Sequence, residues 1–180
     1  MELSIGQKVA YPNQGVCTVE GVLKRTIGEM SMQFYSLRLH NDNSLIFVPM
    51  DNAESVGIRP VITSLQCKKL IGRLSADFEP VSCDWKTRSK EFMQQLQTGD
   101  VFQAADVLKK LTFLSHEKKL SFREQNLLEK AKFLIISEIS NANAADEVAL
   151  RTEIERLVES ACHKHLSIQP KVKVMAATVH

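Results

Sequence analysis

The stretch Gln33-Phe34-Tyr35-Ser36-Leu37-Arg38-Leu39 alternates with period two, placing Phe34 and Ser36 on one face and Tyr35, Leu37 and Leu39 on the other. That period belongs to a strand with one buried face, not to a helix. Downstream of it, Asn41-Asp42-Asn43 is a hairpin turn signal. Ser44-Leu45-Ile46-Phe47-Val48 then reads as a returning strand closed by Pro49, which cannot donate to a ladder. Upstream, residues 7–11 are short and β-prone, and Pro12-Asn13-Gln14-Gly15 is a turn by composition. Residues 16–22 read as a strand rich in β-branched side chains. Residues 23–27 read as a second strand, turned by Gly28-Glu29-Met30. Several short strands within about sixty residues predict a small antiparallel barrel or curled sheet with a thin core.

Beyond Pro60 the pattern changes. Leu65, Lys68, Lys69, Leu70, Ile71 and Leu74 follow a helical period, so a helix is expected over about 64–74 and a domain boundary near residue 60. Asp84 is placed to cap a second helix that ends at Thr98-Gly99. Asp100-Val101-Phe102-Gln103 starts a third, with Phe102, Ala105, Leu108 and Leu111 at helical spacing, before a polar break at 115–119. Ser121-Phe122-Arg123-Glu124 is a capping-box sequence, and Leu127, Leu128, Ala131, Ile135 and Ile139 form the apolar face that follows it. A last helix opens after Asn143-Ala144-Ala145-Asp146, with Val148, Ile154, Leu157, Val158 and Ala161 expected inward. The fold class expected is therefore α+β: a small antiparallel β domain, then a compact all-α domain of four or five short helices, then a short basic tail carrying Lys171 and Lys173.

The composition narrows the function. The hydrophobic fraction is 44%, the charged fraction 24% and the net charge +2, as in an ordinary globular protein. Residues 1–62 carry five Lys/Arg against six Asp/Glu, and residues 63–180 carry eighteen against fifteen, so a polyanion contact belongs to the second part. No charged leader, apolar signal region or membrane-length apolar run is present, and a cytoplasmic protein is expected. Cys17, Cys67, Cys83 and Cys162 are scattered, without a C-x-x-C pair, which argues for reduced thiols rather than a disulfide framework or zinc site. His163 and His165 stand two residues apart, do not share a helical face, and read as a frayed helix end. Phosphate loops and hydrolase or metalloprotease motifs are missing. No enzyme, cofactor or metal is expected, and His116 beside its polar neighbours reads as surface.

Ser82-Cys83-Asp84-Trp85-Lys86-Thr87-Arg88-Ser89-Lys90 holds the sole tryptophan and three cations. At 100° per residue Trp85 lies on the side of Phe92 and Leu96, so periodicity alone assigns it to the core-facing stripe. Its place in the first turn, where a stripe can overrun the core, points the other way.

Taken together, Gly6 to Val16, Phe34 to Arg38, Val48 to Arg59, Trp85-Lys86-Thr87-Arg88, Gly99-Asp100-Val101, the helix from Ala105 to Leu111 and Leu120 to Glu124 resemble the CarD family of bacterial transcription regulators. The resemblance runs from residue 5 to about 160. It implies a Tudor-like RNA polymerase-interaction domain over 1–60 and a helical DNA-binding domain over 61–165; the tail over 166–180 falls outside it and is expected to be flexible as a short basic terminus. A module similar to the first occurs in the transcription–repair coupling factor. The implied partners are the RNA polymerase β subunit and promoter DNA, contacted through the minor groove with little sequence dependence. The implied protein is monomeric and associated with the nucleoid. Trp85 matches the family's wedge at the upstream edge of the transcription bubble, with Arg88 and Lys90 matching basic positions and Lys86 as a further cation. Thr87 stands where the family commonly has an arginine, and Ser89 where it has an aromatic residue. Arg25 matches a polymerase contact, and Phe47 stands where some members have an arginine. The alternative is a Tudor-like protein-interaction adaptor that never touches DNA.

Overall fold

The computed structural model describes residues 2–168. The sheet comprises β1 (Lys8–Tyr11), β2 (Gly15–Ile27), β3 (Met30–Leu39), β4 (Leu45–Pro49) and β5 (Arg59–Pro60), in the order β4-β3-β2-β1-β5 with every neighbour antiparallel. The face of β3 expected inward is inward, although Ser36 on its other face is buried as well. Tyr35, Leu37 and Leu39 are buried with Val9, Cys17, Val19 and Val48, and the Tyr35 hydroxyl accepts from the Leu3 N–H at 3.0 Å. This first core is small. Short strands have few inward positions, and a sheet of this size needs help from a neighbour.

The two strands expected over 16–22 and 23–27 are one 13-residue strand. Its register slips between Val19 and Gly21, where Val19 pairs with Leu37 and Gly21 with Ser36. Glu20 is the extra residue of a β-bulge, which bends a strand without ending it. The composition change at Gly21 marks that bend rather than a break.

Five helices follow: α1 (Ser64–Ser75), α2 (Trp85–Gln97), α3 (Val101–Glu117), α4 (Phe122–Asn143) and α5 (Glu147–Ile168). Their starts are chemically specified. Thr63 and Ser121 form reciprocal capping boxes with Gln66 and Glu124, and Asp84 and Asp100 accept from the Thr87 and Phe102 N–H groups. Leu70, Leu74, Phe92, Leu96, Leu108, Leu111, Ile135, Ile139 and Ile154 meet in the second core. Lys109 is 1% exposed, and its ammonium donates to the Arg73 carbonyl at 2.8 Å and the Ala76 carbonyl at 3.3 Å, closing the end of α1.

Several expectations about the helices change. Helix α3 continues through the polar residues 115–117, and α4 and α5 are 22 residues each rather than short. Val148 is 75% exposed, because it lies in the first turn of α5, beyond the core that Ile154 and Leu157 reach. The end of α5 is docked rather than frayed. Cys162 and His165 are buried, His165 stacks on Phe78 at 4.2 Å between ring centres, and its Nδ1 lies 2.7 Å from Asp77 Oδ1. Residues 166–168, expected in the tail, are helical. The remainder of the tail, with Pro170, Lys171 and Lys173, lies outside the described residues.

The two parts are joined along α4. The Val16 N–H donates to Ser137 Oγ at 3.1 Å. Arg59 forks onto the buried Glu138 carboxylate and also donates to the Gly99 carbonyl at 2.7 Å, while Glu138 accepts from the Ile62 N–H at 3.0 Å. Close approach demands glycine at two points. Gly15 (φ +84°) faces Phe133 and Gly99 (φ +74°) faces Pro12, and in each case a Cβ would fall 2.9 Å from the neighbouring ring carbon.

Candidate functional site

Helix α2 begins where Asp84, in extended conformation, turns its carboxylate onto the Thr87 N–H at 3.0 Å. The Thr87 hydroxyl donates to the same carboxylate, and these bonds hold the Asp84 pKa below its usual range. Thr87, at the position of a family arginine, is thereby committed to the cap.

The next residue, Trp85, is 59% exposed, while Phe92 and Leu96 on its side of the helix are buried. The indole sits at the very start of α2, past the end of the core. Lys86 Nζ stands 5.7 Å from the ring centre, within cation–π range, and both Lys86 and Lys90 are exposed.

Arg88, expected among the basic residues facing a phosphate backbone, is 4% exposed. Its guanidinium donates to the Ser82 carbonyl at 2.7 Å and to Glu124 Oε1 at 2.8 Å, so it points into the protein. The reason lies in Glu124, which is itself buried. One carboxylate oxygen accepts from the N–H and hydroxyl of Ser121, both at 2.9 Å, and the other takes Arg88 and, at 3.4 Å, Lys118. Burial pushes the Glu124 pKa up, but these donors outweigh it and bring the carboxyl down to about 2. A buried carboxylate requires such a partner, and Arg88 supplies it. The pair fastens the first turn of α2 to the first turn of α4.

A second grouping lies on the sheet. Arg25 and Phe47 come together across the outer face, with the guanidinium carbon 4.8 Å from the Phe47 ring centre. Leu23 and Leu45 are each 41% exposed, and the cross-strand register puts them on that same face. Among the described residues β4 pairs only with β3, so its other side is an open edge.

Phe122, the first residue of α4, is 79% exposed and was not singled out by the sequence reading. A helical wheel could have found it, since at 100° per residue it sits roughly 180° from Ala131, opposite the apolar stripe. His116 lies on the surface with Nε2 3.0 Å from Glu159. Among the described residues no group of His, Cys, Asp and Glu could hold a metal ion, and no helix is long and apolar enough to cross a membrane.

These features describe a two-part protein: a small Tudor-like sheet with an open edge, joined along α4 to a helical unit that presents an exposed tryptophan beside Lys86 and Lys90. Two family descriptions match it, the CarD-like/TRCF RID domain over residues 3–62 and the CarD C-terminal domain over residues 69–155. YdeB of Bacillus subtilis (strain 168), by name a candidate transcription factor, is 26% identical over 148 residues, covering 82% of this chain and 97% of that one. The solution NMR structure of the 72-residue N-terminal domain of Myxococcus xanthus CarD is 30% identical, covering 33% of this chain and 79% of that one with a TM-score of 0.29. The chain belongs to the CarD family, whose members regulate transcription through RNA polymerase.

Proposed function

We propose that this chain docks on the RNA polymerase β subunit through the open edge of β4 and the outer face carrying Arg25 and Phe47, and there stabilises the open promoter complex. Trp85 inserts into the minor groove at the upstream edge of the bubble. The observation that carries the reading is the 59% exposure of Trp85 on a helix whose Phe92 and Leu96, on the same side, turn inward. Unstacking a base step costs a few kcal/mol, and an apolar wedge in the minor groove stabilises the opened geometry. Lys86 and Lys90 contact phosphates, which positions the wedge without reading sequence. Arg88 serves as a positioning residue through Glu124 rather than as a phosphate contact. Strand addition at β4 uses backbone groups and tolerates Phe47 where some relatives carry a cation. Docking on polymerase raises the local concentration, so one monomer with weak affinity for free DNA suffices, and the protein resides in the cytoplasm with the nucleoid.

The test is the lifetime of open complexes challenged with competitor, at a promoter whose open complex is short-lived. Trp85→Ala is expected to leave the melting temperature and polymerase capture unchanged and to shorten the lifetime about tenfold or more, the scale of one lost wedge. An unchanged lifetime with intact capture would leave the protein as an adaptor without DNA contact.

A further inference from the structure

We infer that Pro12 and Gly99 are positioning residues for Trp85. The Pro12 ring, carried by the sheet, bears on Gly99 at the far end of α2 and fixes where the indole stands once the sheet is docked; this rests on the proposed docking and wedge.

Pro12 lies in the turn between β1 and β2, and Gly99 lies in the turn between α2 and α3. A Cβ on Gly99 would fall 2.9 Å from Pro12 Cγ, 3.3 Å from its Cβ and 3.4 Å from its Cα. These atoms belong to a ring closed on its own backbone, so they cannot swing aside as the end of a long side chain would. The same ring carbon approaches Gly57, where a Cβ would fall 3.2 Å away. Arg59, from β5, fastens the same turn by donating to the Gly99 carbonyl at 2.7 and 3.3 Å. Ring and guanidinium together hold Gly99 from the side of the sheet.

The remaining side-chain contacts of the junction have a different geometry. Phe133 facing Gly15, Ser137 accepting from Val16 and Glu138 accepting from Arg59 all stand on α4. Contacts along one helix resist sliding along it better than rocking across it. Pro12 on Gly99 is the stop against rocking, and it falls on the turn that ends α2. Trp85 is at the opposite end of that helix, and 13 residues at about 1.5 Å each set it about 20 Å away. The Arg88–Glu124 contact ties the start of α2 to α4, so the helical unit carries any tilt as one body. A Cβ on Gly99 needs about 0.6–1.1 Å of added room to reach an ordinary carbon–carbon contact. Across the roughly 8–10 Å between packed helix axes, that is a tilt of about 3–8°. Over the length of α2 the tilt moves the indole by about 1–3 Å, a large part of the roughly 3.4 Å between base steps.

Gly99→Asn tests the inference in the full chain, because asparagine accepts a positive φ and still brings the Cβ. It is expected to keep polymerase capture and the melting temperature, and to shorten the open-complex lifetime about threefold or more. A fluorescent adenine analogue at the upstream edge of the bubble, bright when unstacked, should dim to the level seen with Trp85→Ala. Adding Pro12→Ala removes the ring carbon that the Cβ meets, and the double variant is expected to regain most of the lifetime and the signal. Pro12→Ala alone removes the stop without adding a clash, and should shorten the lifetime with capture intact; it decides the matter if Gly99→Asn does not fold. A wild-type lifetime for both single variants, where Trp85→Ala loses stabilisation, would overturn the positioning role and leave the wedge. Loss of capture and melting temperature in step with lifetime, in both single variants, would make the contact one of folding and also overturn it. If Trp85→Ala is itself without effect while capture persists, the wedge reading fails and the positioning role falls with it.

Discussion

Replacing Glu138 by alanine separates the two jobs of the domain junction, stability and geometry. Glu138 is 4% exposed and accepts both prongs of Arg59 and the Ile62 N–H. Removing one partner of a fully buried pair costs about 3–5 kcal/mol. The Arg59 side chain is 31% exposed, so water recovers part of its solvation, and the ionic share falls to about 1–2 kcal/mol. The Ile62 N–H loses its acceptor as well, which adds about 1 kcal/mol. The expected loss is about 2–3 kcal/mol, read as a shift of about 1 M in a urea midpoint. Glu138→Gln keeps an acceptor for Ile62 and should lose about half as much. Fluorescence of the sole tryptophan follows the helical part, and far-ultraviolet circular dichroism follows both parts. In the alanine variant the two curves should separate if the junction couples the domains. Open-complex stabilisation should fall even where the protein remains folded, because a polymerase-docked sheet would no longer fix where Trp85 lies. A midpoint within about 0.2 M of wild type, roughly the resolution of such curves, would refute the reasoning.

Acid unfolding should report Glu124. Its folded pKa of about 2 lies below the usual carboxylate range, so its contribution is complete near neutral pH and is lost as pH falls from about 5 toward 2. The full shift is worth about 3 kcal/mol. Glu124→Gln should flatten that limb of stability against pH, measured by urea titration at each pH, and a limb as steep as wild type would contradict the assignment. On the sheet, Phe47→Ala and Arg25→Glu should weaken capture of polymerase, with Arg25→Glu the more salt-sensitive, and leave the melting temperature within about 0.5 kcal/mol equivalent because both side chains lie at the surface. Equal capture by both variants and wild type would remove the outer face from the interface.

How much could be read from sequence follows from how local each cause is. The caps at Asp84, Asp100 and Ser121 were legible because a cap is chemistry between residues two or three apart, and the strand alternation at 33–39 was legible because the sheet imposes it residue by residue. The docked end of α5 was not, because its cause is remote: His165 meets Asp77 across 88 positions of sequence. The bulge at Glu20 was hidden for a related reason, since a register slip exists only relative to the partner strand.

The α2 stretch shows the same limit at the candidate site. A helical wheel ranks residues by angle and is blind to height along the axis. Trp85, Arg88, Phe92 and Leu96 all fall within an arc of roughly 80° at 100° per residue, so the wheel gives an aromatic ring and a guanidinium equal claim to the interior. The structure resolves the tie in favour of the cation. Arg88 stands one turn deeper, where Glu124, 36 positions away in sequence, offers it a buried partner, whereas Trp85 stands at the helix start with no core opposite it. A charged residue inside and a tryptophan outside invert the usual order of burial. The inversion has a physical consequence for function. An exposed ring on a frayed helix end would be ordered only on binding, at an entropic cost. This ring stands on a turn pinned by the Asp84 cap and by Arg88, which donates to the Ser82 carbonyl and to Glu124 of α4. Such a base lets the contact energy of the ring appear as stabilisation of the bound DNA rather than as ordering of the protein.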